Sequence, residues 1–312
     1  MNPTPQVSVA IPVYNEAAGL PELLRRLRDV LDELGGGPHE ILFVDDGSSD
    51  GTLAALERAA AEDQRIAVVS LSRNFGHQAA LAAALDYVTG EVVVLMDGDL
   101  QDPPEAIPRF LDKFREGYDV VYAIRSSRQE SIRLRAAYFL FYRLMAGLSK
   151  VHVPLDAGDF GLMSRRAVAE LQRTSERNRY LRGLRAWVGF RQIGIAVDRE
   201  VRHAGASKYS PGKLFALAFD GIFAFSIVPL RAATLIGVGA LAMSSSYALY
   251  SVYAKLALDR SPRGFTAMIV IITFFLGVIL FFLGIIGEYV GRVYEEVKAR
   301  PIYVVAKVIG RD

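Results

Sequence analysis

The chain has 312 residues, 52% of them hydrophobic, with 36 Lys and Arg against 34 Asp and Glu and a net charge of +2. That length admits one or two domains, the balanced charge gives no sign of a nucleic-acid partner, and the absence of cysteine excludes a disulfide framework. The mean hydropathy of +0.24 is high for a soluble protein, and the apolar excess gathers near the C-terminus.

Met1 to Pro5 is polar and carries no signal-peptide pattern, which predicts a cytoplasmic N-terminal domain. Val7–Val13 then reads as a strand, and Leu20–Leu34 as a helix whose Leu23, Leu24, Leu27, Val30, Leu31 and Leu34 share one face. Glu40–Val44 is a strand. The turn Gly47-Ser48-Ser49-Asp50-Gly51 leads to a helix over Thr52–Glu62. Ile66–Leu71, a helix over His77–Tyr87, the strand Val92–Met96, a helix over Ala106–Arg115 and the strand Val120–Ile124 continue the alternation. Repeated βα units predict a parallel, doubly wound α/β sheet with its sites at the strand C-termini.

Ser210–Phe225 is apolar nearly all round, with Lys213 and Asp220 its only charges. It fits a helix in the membrane interface or one packed on a soluble core. Ala232–Tyr253 and Thr266–Gly287 are runs without charge, long enough to cross a ~30 Å hydrocarbon layer. The polar connection between them makes a two-helix hairpin with both chain ends on one side. Lys208, Lys213, Arg292, Lys298 and Arg300 outside it outnumber Lys255, Arg260 and Arg263 in the connection, so the positive-inside rule places both ends in the cytoplasm. The expected organisation is a catalytic domain over 1–209, a juxtamembrane amphipathic segment over 210–230, two transmembrane helices over 232–253 and 266–287 within 231–289, and a cytoplasmic tail over 290–312. Gly277, Gly284 and Gly287 leave room for close helix packing, compatible with a homo-oligomer.

The chemistry concentrates at strand ends. Asp97-Gly98-Asp99 closes the apolar run Val92–Met96, and strand alternation aims the two carboxylates the same way. Such a pair suits Mg2+ or Mn2+ shared with a diphosphate, though as a bare pattern it is equally a solvated turn. Pro12, Tyr14, Asn15 and Glu16 end the first strand, and Asp45 and Asp46 end the second. A strand-end carboxylate can accept from a nucleobase, whereas Asp50 or Thr52 can simply cap a helix. Arg73, in Ser72-Arg73-Asn74-Phe75-Gly76-His77, can anchor a base or phosphate.

In order and spacing, residues 7 to about 202 resemble the family 2 glycosyltransferases and their nucleotide-sugar-binding GT-A fold. The resemblance implies Pro12, Tyr14, Glu16, Asp46, Arg73 and Asp97 as nucleotide contacts and Asp97 and Asp99 as metal ligands. It also implies that Gly98, where Ala is frequent, is immaterial. Asp97–Glu105, Gly158-Asp159-Phe160-Gly161, Arg202–Tyr209 and the hairpin narrow the likeness to the polyisoprenyl-phosphate glycosyltransferases, including bacterial glucosyl transferases and, more distantly, dolichol-phosphate mannose synthases. Gly161 departs from the Arg often found there. Within this likeness Asp159 reads as catalytic base or orienter, with Asp156 its rival and a buried turn carboxylate pairing Arg165 or Arg166 the alternative, and Arg202, Ser207 and Lys208 as acceptor or phosphate contacts, Arg202 and Lys208 being alternatively membrane-flanking charge. His152 and His203 have no partners at metal-ligand spacing.

The resulting expectation is an integral inner-membrane enzyme with its catalytic domain in the cytoplasm. It would transfer a hexose, glucose from UDP-glucose, with inversion to a polyprenyl phosphate such as undecaprenyl phosphate in the lipid bilayer. The alternatives are a processive polysaccharide synthase and a non-catalytic scaffold that kept the fold. The synthases carry Gln-x-x-Arg-Trp, which Arg182-Gly183-Leu184-Arg185-Ala186-Trp187 lacks.

Overall fold

The computed structural model describes residues 6–35, 37–125, 157–174, 176, 180–198, 228–258 and 264–311. The described residues up to 198 and those from 300 onward form one compact unit, and those of 228–299 a second. Arg202, Ser207, Lys208, Asp156, His152, His203 and the juxtamembrane stretch up to Phe225 lie outside the described residues.

The first unit is an eight-stranded sheet. Its strands are β1 (Val7–Val13), β2 (His39–Asp45), β3 (Ile66–Leu71), β4 (Val92–Leu95), β5 (Val120–Arg125), β6 (Ala157–Ser164), β7 (Gln192–Val197) and β8 (Val305–Ile309), in the order β7-β5-β6-β4-β1-β2-β3-β8. Helices α1 (Leu20–Glu33), α2 (Thr52–Glu62), α3 (His77–Tyr87), α4 (Ile107–Arg115), α5 (Arg165–Arg173) and α6 (Leu181–Trp187) cover both faces, with a 3₁₀ turn over Pro104–Ala106. Alternate strand residues feed two cores. Val7, Val9 and Ile11 pack with Leu23 and Leu27 of α1 and Phe110 of α4. Ala10, Leu42 and Val44 pack on the other face with Leu81 of α3, Val168 of α5 and Leu184 of α6. Helix α3 buries Ala79, Ala80, Ala82, Ala83 and Ala84, and these small side chains let it lie close to the sheet. Burial on both faces explains why β1 to β4 read as unbroken apolar runs.

The sheet is mixed rather than all parallel. β1 runs parallel to β2 and β4, β2 to β3, and β5 to β7. β6 is antiparallel to both β4 and β5, and β8 to β3. Glycines at 158 and 161 interrupt the apolar signal of β6. The stretch expected as a cytoplasmic tail holds β8, an edge strand of five residues, too short to stand out in the sequence. Ser72 N donates to Val304 O at 2.8 Å, Tyr303 Oη to Asp86 at 2.9 Å and Lys307 Nζ to Glu57 at 2.9 Å, while Arg311 pairs with Glu40.

The second unit comprises α7 (Val228–Leu258) and α8 (Phe265–Val297), both longer than the spans expected from sequence. Both are long and apolar enough to cross a membrane. Leu235, Leu249 and Phe281 are among many large apolar side chains here that are mostly exposed, which water alone would disfavour.

Candidate active site

The loops after β1 and β2 are tied to each other by backbone and hydroxyl groups. Asn15 takes a positive φ of 56°; its N–H donates to Ser48 Oγ at 3.0 Å, and its Oδ1 accepts from Ser49 N at 2.8 Å. Glu16 N donates to Thr52 Oγ1 at 3.0 Å. Asp50 holds the start of α2, accepting from Thr52 N at 2.9 Å. Tyr14 stands half-exposed at the rim, whereas Pro12 is buried within β1.

Asp46 is buried, and its two oxygens accept from Phe75 N at 2.8 Å and Gly76 N at 2.9 Å. Burial pushes its carboxyl above the ordinary carboxylate value, against the pull of the two amides. Asp46 thus binds the β3–α3 loop, in addition to any contact with a ligand. Gly47, at φ 68°, lies against that loop, and a Cβ there would sit 2.5 Å from the Arg73 carbonyl carbon. Arg73 itself is exposed and stacks over Phe75, 4.3 Å from the ring centroid.

At the end of β4, Asp97 N donates to Asp102 Oδ2 at 3.3 Å, and Asp99 Oδ1 accepts from Gln101 N at 3.1 Å. Leu100, at φ 62°, turns the loop. The expectation that Gly98 is immaterial does not hold: a Cβ there would come within 2.6 Å of Val13 Cγ1 and 3.3 Å of Pro12 O, so Ala fits only if Val13 moves.

Antiparallel pairing places Leu95 opposite Gly161. Asp159, two residues back along β6, therefore comes level with Asp97 at the same end of the sheet. Gly161 has no room for a longer residue, since its Cβ would lie 2.4 Å from Val121 O. His77, at the start of α3, reaches both acids, with Nε2 at 3.7 Å from Asp97 Oδ1 and 3.7 Å from Asp159 Oδ2.

Asp159 pairs with neither Arg165 nor Arg166. Arg165 Nη1 donates to Val88 O at 2.8 Å, and Arg166 pairs with Asp119. Its partner is Arg182 of α6, which donates from Nε to Oδ1 at 2.8 Å and from Nη2 to Oδ2 at 2.7 Å. Burial would raise the Asp159 carboxyl, but Arg182 and His77 override it and hold the group well below the usual carboxylate range. The loss of ring hydration lowers His77, and Asp159 and Asp97 more than reverse that, leaving it raised. Arg185, one turn beyond Arg182, is 4% exposed and donates from Nη2 to Gly158 O at 3.1 Å.

Asp97, Gln101, Asp102, Gly158, Asp159 and Arg182 line a cleft. Asp97 and Asp99 offer two half-buried carboxylates one residue apart, with the close-packed Gly98 between them. Among the described residues no cluster of three or more acidic, His or Cys ligands forms a closed cage. That donor set fits a hard divalent cation whose shell is completed by phosphate oxygens.

The structure brings the predicted Tyr14, Glu16, Asp46, Arg73, Asp97, Asp99 and Asp159 to one end of the sheet. His77, Asp102, Arg182 and Arg185 join them without having been singled out from sequence. Arg182 and Arg185 sit in the very stretch set aside for lacking a synthase motif, and three-residue spacing of two arginines on a helix was the signal available.

The sequence profile described as "Glycosyl transferase family 2" matches residues 8–172, more than half the chain. An uncharacterized glycosyltransferase of Synechocystis sp. is 44% identical over 99% of this chain and 97% of its own length. A bactoprenol glucosyl transferase of Shigella phage SfX is 38% identical over 96% of this chain and 98% of its own. An undecaprenyl-phosphate 4-deoxy-4-formamido-L-arabinose transferase of Klebsiella pneumoniae is 36% identical over 98% and 94%.

Proposed function

This chain belongs to glycosyl transferase family 2 and is a glycosyltransferase with a GT-A-like mixed α/β sheet, and on that premise we propose that it transfers a hexose to a polyprenyl phosphate such as undecaprenyl phosphate. The donor is a nucleotide sugar, UDP-glucose in our reading, and the reaction inverts the anomeric carbon at the cytoplasmic face of the inner (plasma) membrane. Near full-length similarity to relatives named for bactoprenol and undecaprenyl phosphate supports the acceptor. The two apolar helices suit an enzyme whose acceptor is embedded in lipid.

The observation that carries the reading is the facing of Asp97 and Asp159 across β4 and β6, beside a cleft that also holds Arg182. Tyr14, Glu16, Asp46 and Arg73 lie on the β1–β3 side and would hold the nucleotide. Asp97 and Asp99 would hold Mg2+ or Mn2+, which when bound neutralises charge developing on the departing diphosphate. An acceptor phosphate oxygen forms the new bond to the anomeric carbon as the bond to the diphosphate breaks and UDP leaves. A phosphate arrives already ionised, so it needs orientation rather than deprotonation. Asp159 suits that requirement: with both oxygens bound by Arg182 it is a poor proton acceptor. Arg202, Ser207 and Lys208 would add contacts to the acceptor phosphate.

Chain order also bears on topology. The chain leaves the sheet unit, passes through α7 and α8, and returns to the sheet as β8. Two crossings between two attachments to one unit put both ends on the same side, which the positive charges outside the hairpin make cytoplasmic. Cysteine introduced at Ser261 should react with an impermeant reagent from the far side only.

The test is transfer of labelled hexose from a panel of nucleotide sugars to undecaprenyl phosphate in vesicles, with chelator and metal add-back. UDP-glucose should be the best donor, chelator should stop turnover, and the product anomer should be opposite to that of the donor. Transfer to no polyprenyl phosphate would refute the acceptor, full activity in chelator the metal, and a retained anomer the inversion.

A further inference from the structure

Arg182 and Arg185 lie one helical turn apart on α6 and both turn toward the start of β6. Arg182 is engaged by Asp159 through two parallel bonds of 2.8 Å and 2.7 Å. Arg185 is almost wholly buried, donates to Gly158 O at 3.1 Å, and has its guanidinium 5.1 Å from the Tyr122 ring centroid. Among the described residues it forms no ion pair. Burial holds its side chain down to about 10, against the pull of Asp159. Of the other acids lining the cleft, Asp102 accepts from the Asp97 backbone and Asp97 lies beside His77. Two guanidinium groups therefore meet one buried carboxylate at this end of the cleft. Buried charge without compensation is costly, and the planar fork of arginine binds carboxylate and phosphate through the same geometry.

We propose that Arg182 and Arg185 form the receiving group for the phosphate monoester of the acceptor, and that Asp159 occupies the fork of Arg182 as a placeholder until that phosphate displaces it. The inference rests on the acceptor reading given above and deepens it. A side-chain partner can be exchanged in this way without unfolding a loop, and the incoming phosphate supplies the negative charge that Arg185 lacks. Asp159 then keeps His77 as its remaining partner. The donor diphosphate shares the chemistry, so the test needs separate arms.

Full-length enzyme in nanodiscs is titrated calorimetrically with farnesyl phosphate and, separately, with UDP and Mn2+. Asp159→Asn removes the competing charge and should tighten farnesyl phosphate about tenfold or more, because the binding-competent fraction rises. Arg182→Gln should weaken it about ten- to a hundredfold, the value of a charge-assisted contact. UDP binding should be unchanged in both. The double variant Asp159→Asn/Arg182→Gln, which removes both members of the buried pair, should bind farnesyl phosphate as weakly as Arg182→Gln, with folding of every variant verified by circular dichroism. If folded Asp159→Asn binds farnesyl phosphate no better than wild type, the placeholder is overturned. If UDP tightens instead, the fork belongs to the donor and the assignment is overturned. A wild type that glycosylates the lipid yet shows no tightening in Asp159→Asn defeats this inference alone; a wild type that neither binds farnesyl phosphate nor uses polyprenyl phosphate defeats the acceptor reading as well.

Discussion

Two regions at this end of the sheet, a β1–β3 wall and a β4–β6 wall that lines the cleft, hold their carboxylates by different means. On the β1–β3 side the donors are neutral and close by. Asp46 accepts from the amides of Phe75 and Gly76, Asp45 from Ser48 N at 3.2 Å and Ser70 Oγ at 3.3 Å, and Asp50 from Thr52 N. On the β4–β6 side Asp159 is held by the guanidinium of Arg182, with His77 Nε2 at 3.7 Å. Backbone donors are fixed by the fold of their loops, so their carboxylates cannot leave without local unfolding. Guanidinium partners bring strength and reach, and they can be traded for another oxyanion. One wall rests on fixed neutral donors and the other on a guanidinium, the division that the proposed exchange of Asp159 for an arriving phosphate would use.

The largest effects should fall where the walls meet. Asp97→Asn and Asp99→Asn should each lower turnover at least about a hundredfold, as loss of a group that stabilises developing phosphate charge does. Neither is a core residue, so the denaturation midpoint should hold. A large fall in that midpoint with residual activity would place the pair in the fold rather than in the chemistry. Next comes Arg182→Ala, which strands Asp159 as a buried, largely uncompensated charge and should cost about 3 kcal/mol in urea unfolding. On the opposite wall, Asp46→Ala leaves two amides without their acceptor, at about 1–3 kcal/mol each if they stay buried. Asp46→Asn keeps one acceptor and should cost less. Equal losses for Asp46→Asn and Asp46→Ala would mean that charge, not acceptance, matters there, and the contrast between the walls would fail.

That contrast also explains what the sequence could disclose. Strands β1 to β4 are continuous apolar runs, and their loops carry Asp45-Asp46-Gly47-Ser48 and Asp97-Gly98-Asp99 within a few residues. Local periodicity and local motif therefore located these strand ends and the acidic pair. The second wall is assembled from partners far apart in the chain: Asp159 meets Arg182 across 23 positions, and His77 lies beyond α3 and β4. No spacing rule predicts which cation faces which acid, so Arg165 and Arg166 were reasonable candidates and Arg182 was passed over. The antiparallel turn of β6 was hidden for a similar reason, because its glycines serve close strand packing at Val121 and leave no hydrophobic alternation. β8 was hidden because its pairing partner β3 lies more than 200 residues earlier.

Acid titration of stability sharpens the comparison further. Asp159 has a depressed folded value, so it adds stability above the ordinary carboxylate range, near pH 4, and that stability is lost as pH falls through the depressed value. Asp46 is raised by burial, so its contribution has the opposite sign and stability is lost as pH rises through its folded value. Asp159→Asn should therefore flatten the acid limb of a melting-temperature profile, and Asp46→Asn should steepen it. Profiles that move in the same direction would show that both carboxylates answer to one environment.

The smallest effect should come from Asp50, an exposed member of the β1–β3 wall. Its Oδ1 accepts from Thr52 N at 2.9 Å and its Oδ2 from Ala17 N at 3.3 Å, joining the start of α2 to the loop after β1. Thr52 Oγ1 also donates to Oδ1 at 2.5 Å, so every one of these donors is neutral, acceptance by an oxygen should count and the net charge should count little. Asp50→Ala removes the acceptor and should lower stability by about 1 kcal/mol, the usual net value of such bonds. Asp50→Asn retains an oxygen for Thr52 N and should stay within about 0.5 kcal/mol of wild type, as exposed substitutions do. Asp159→Asn provides the matched comparison, since there the neutral amide gives up the charge that binds Arg182. Urea unfolding of the three variants at two salt concentrations measures both points. If Asp50→Asn is as costly as Asp50→Ala, and salt weakens the wild-type stability by the same margin, then electrostatics governs this wall too, and the division between a fixed side and an exchanging side loses its physical basis.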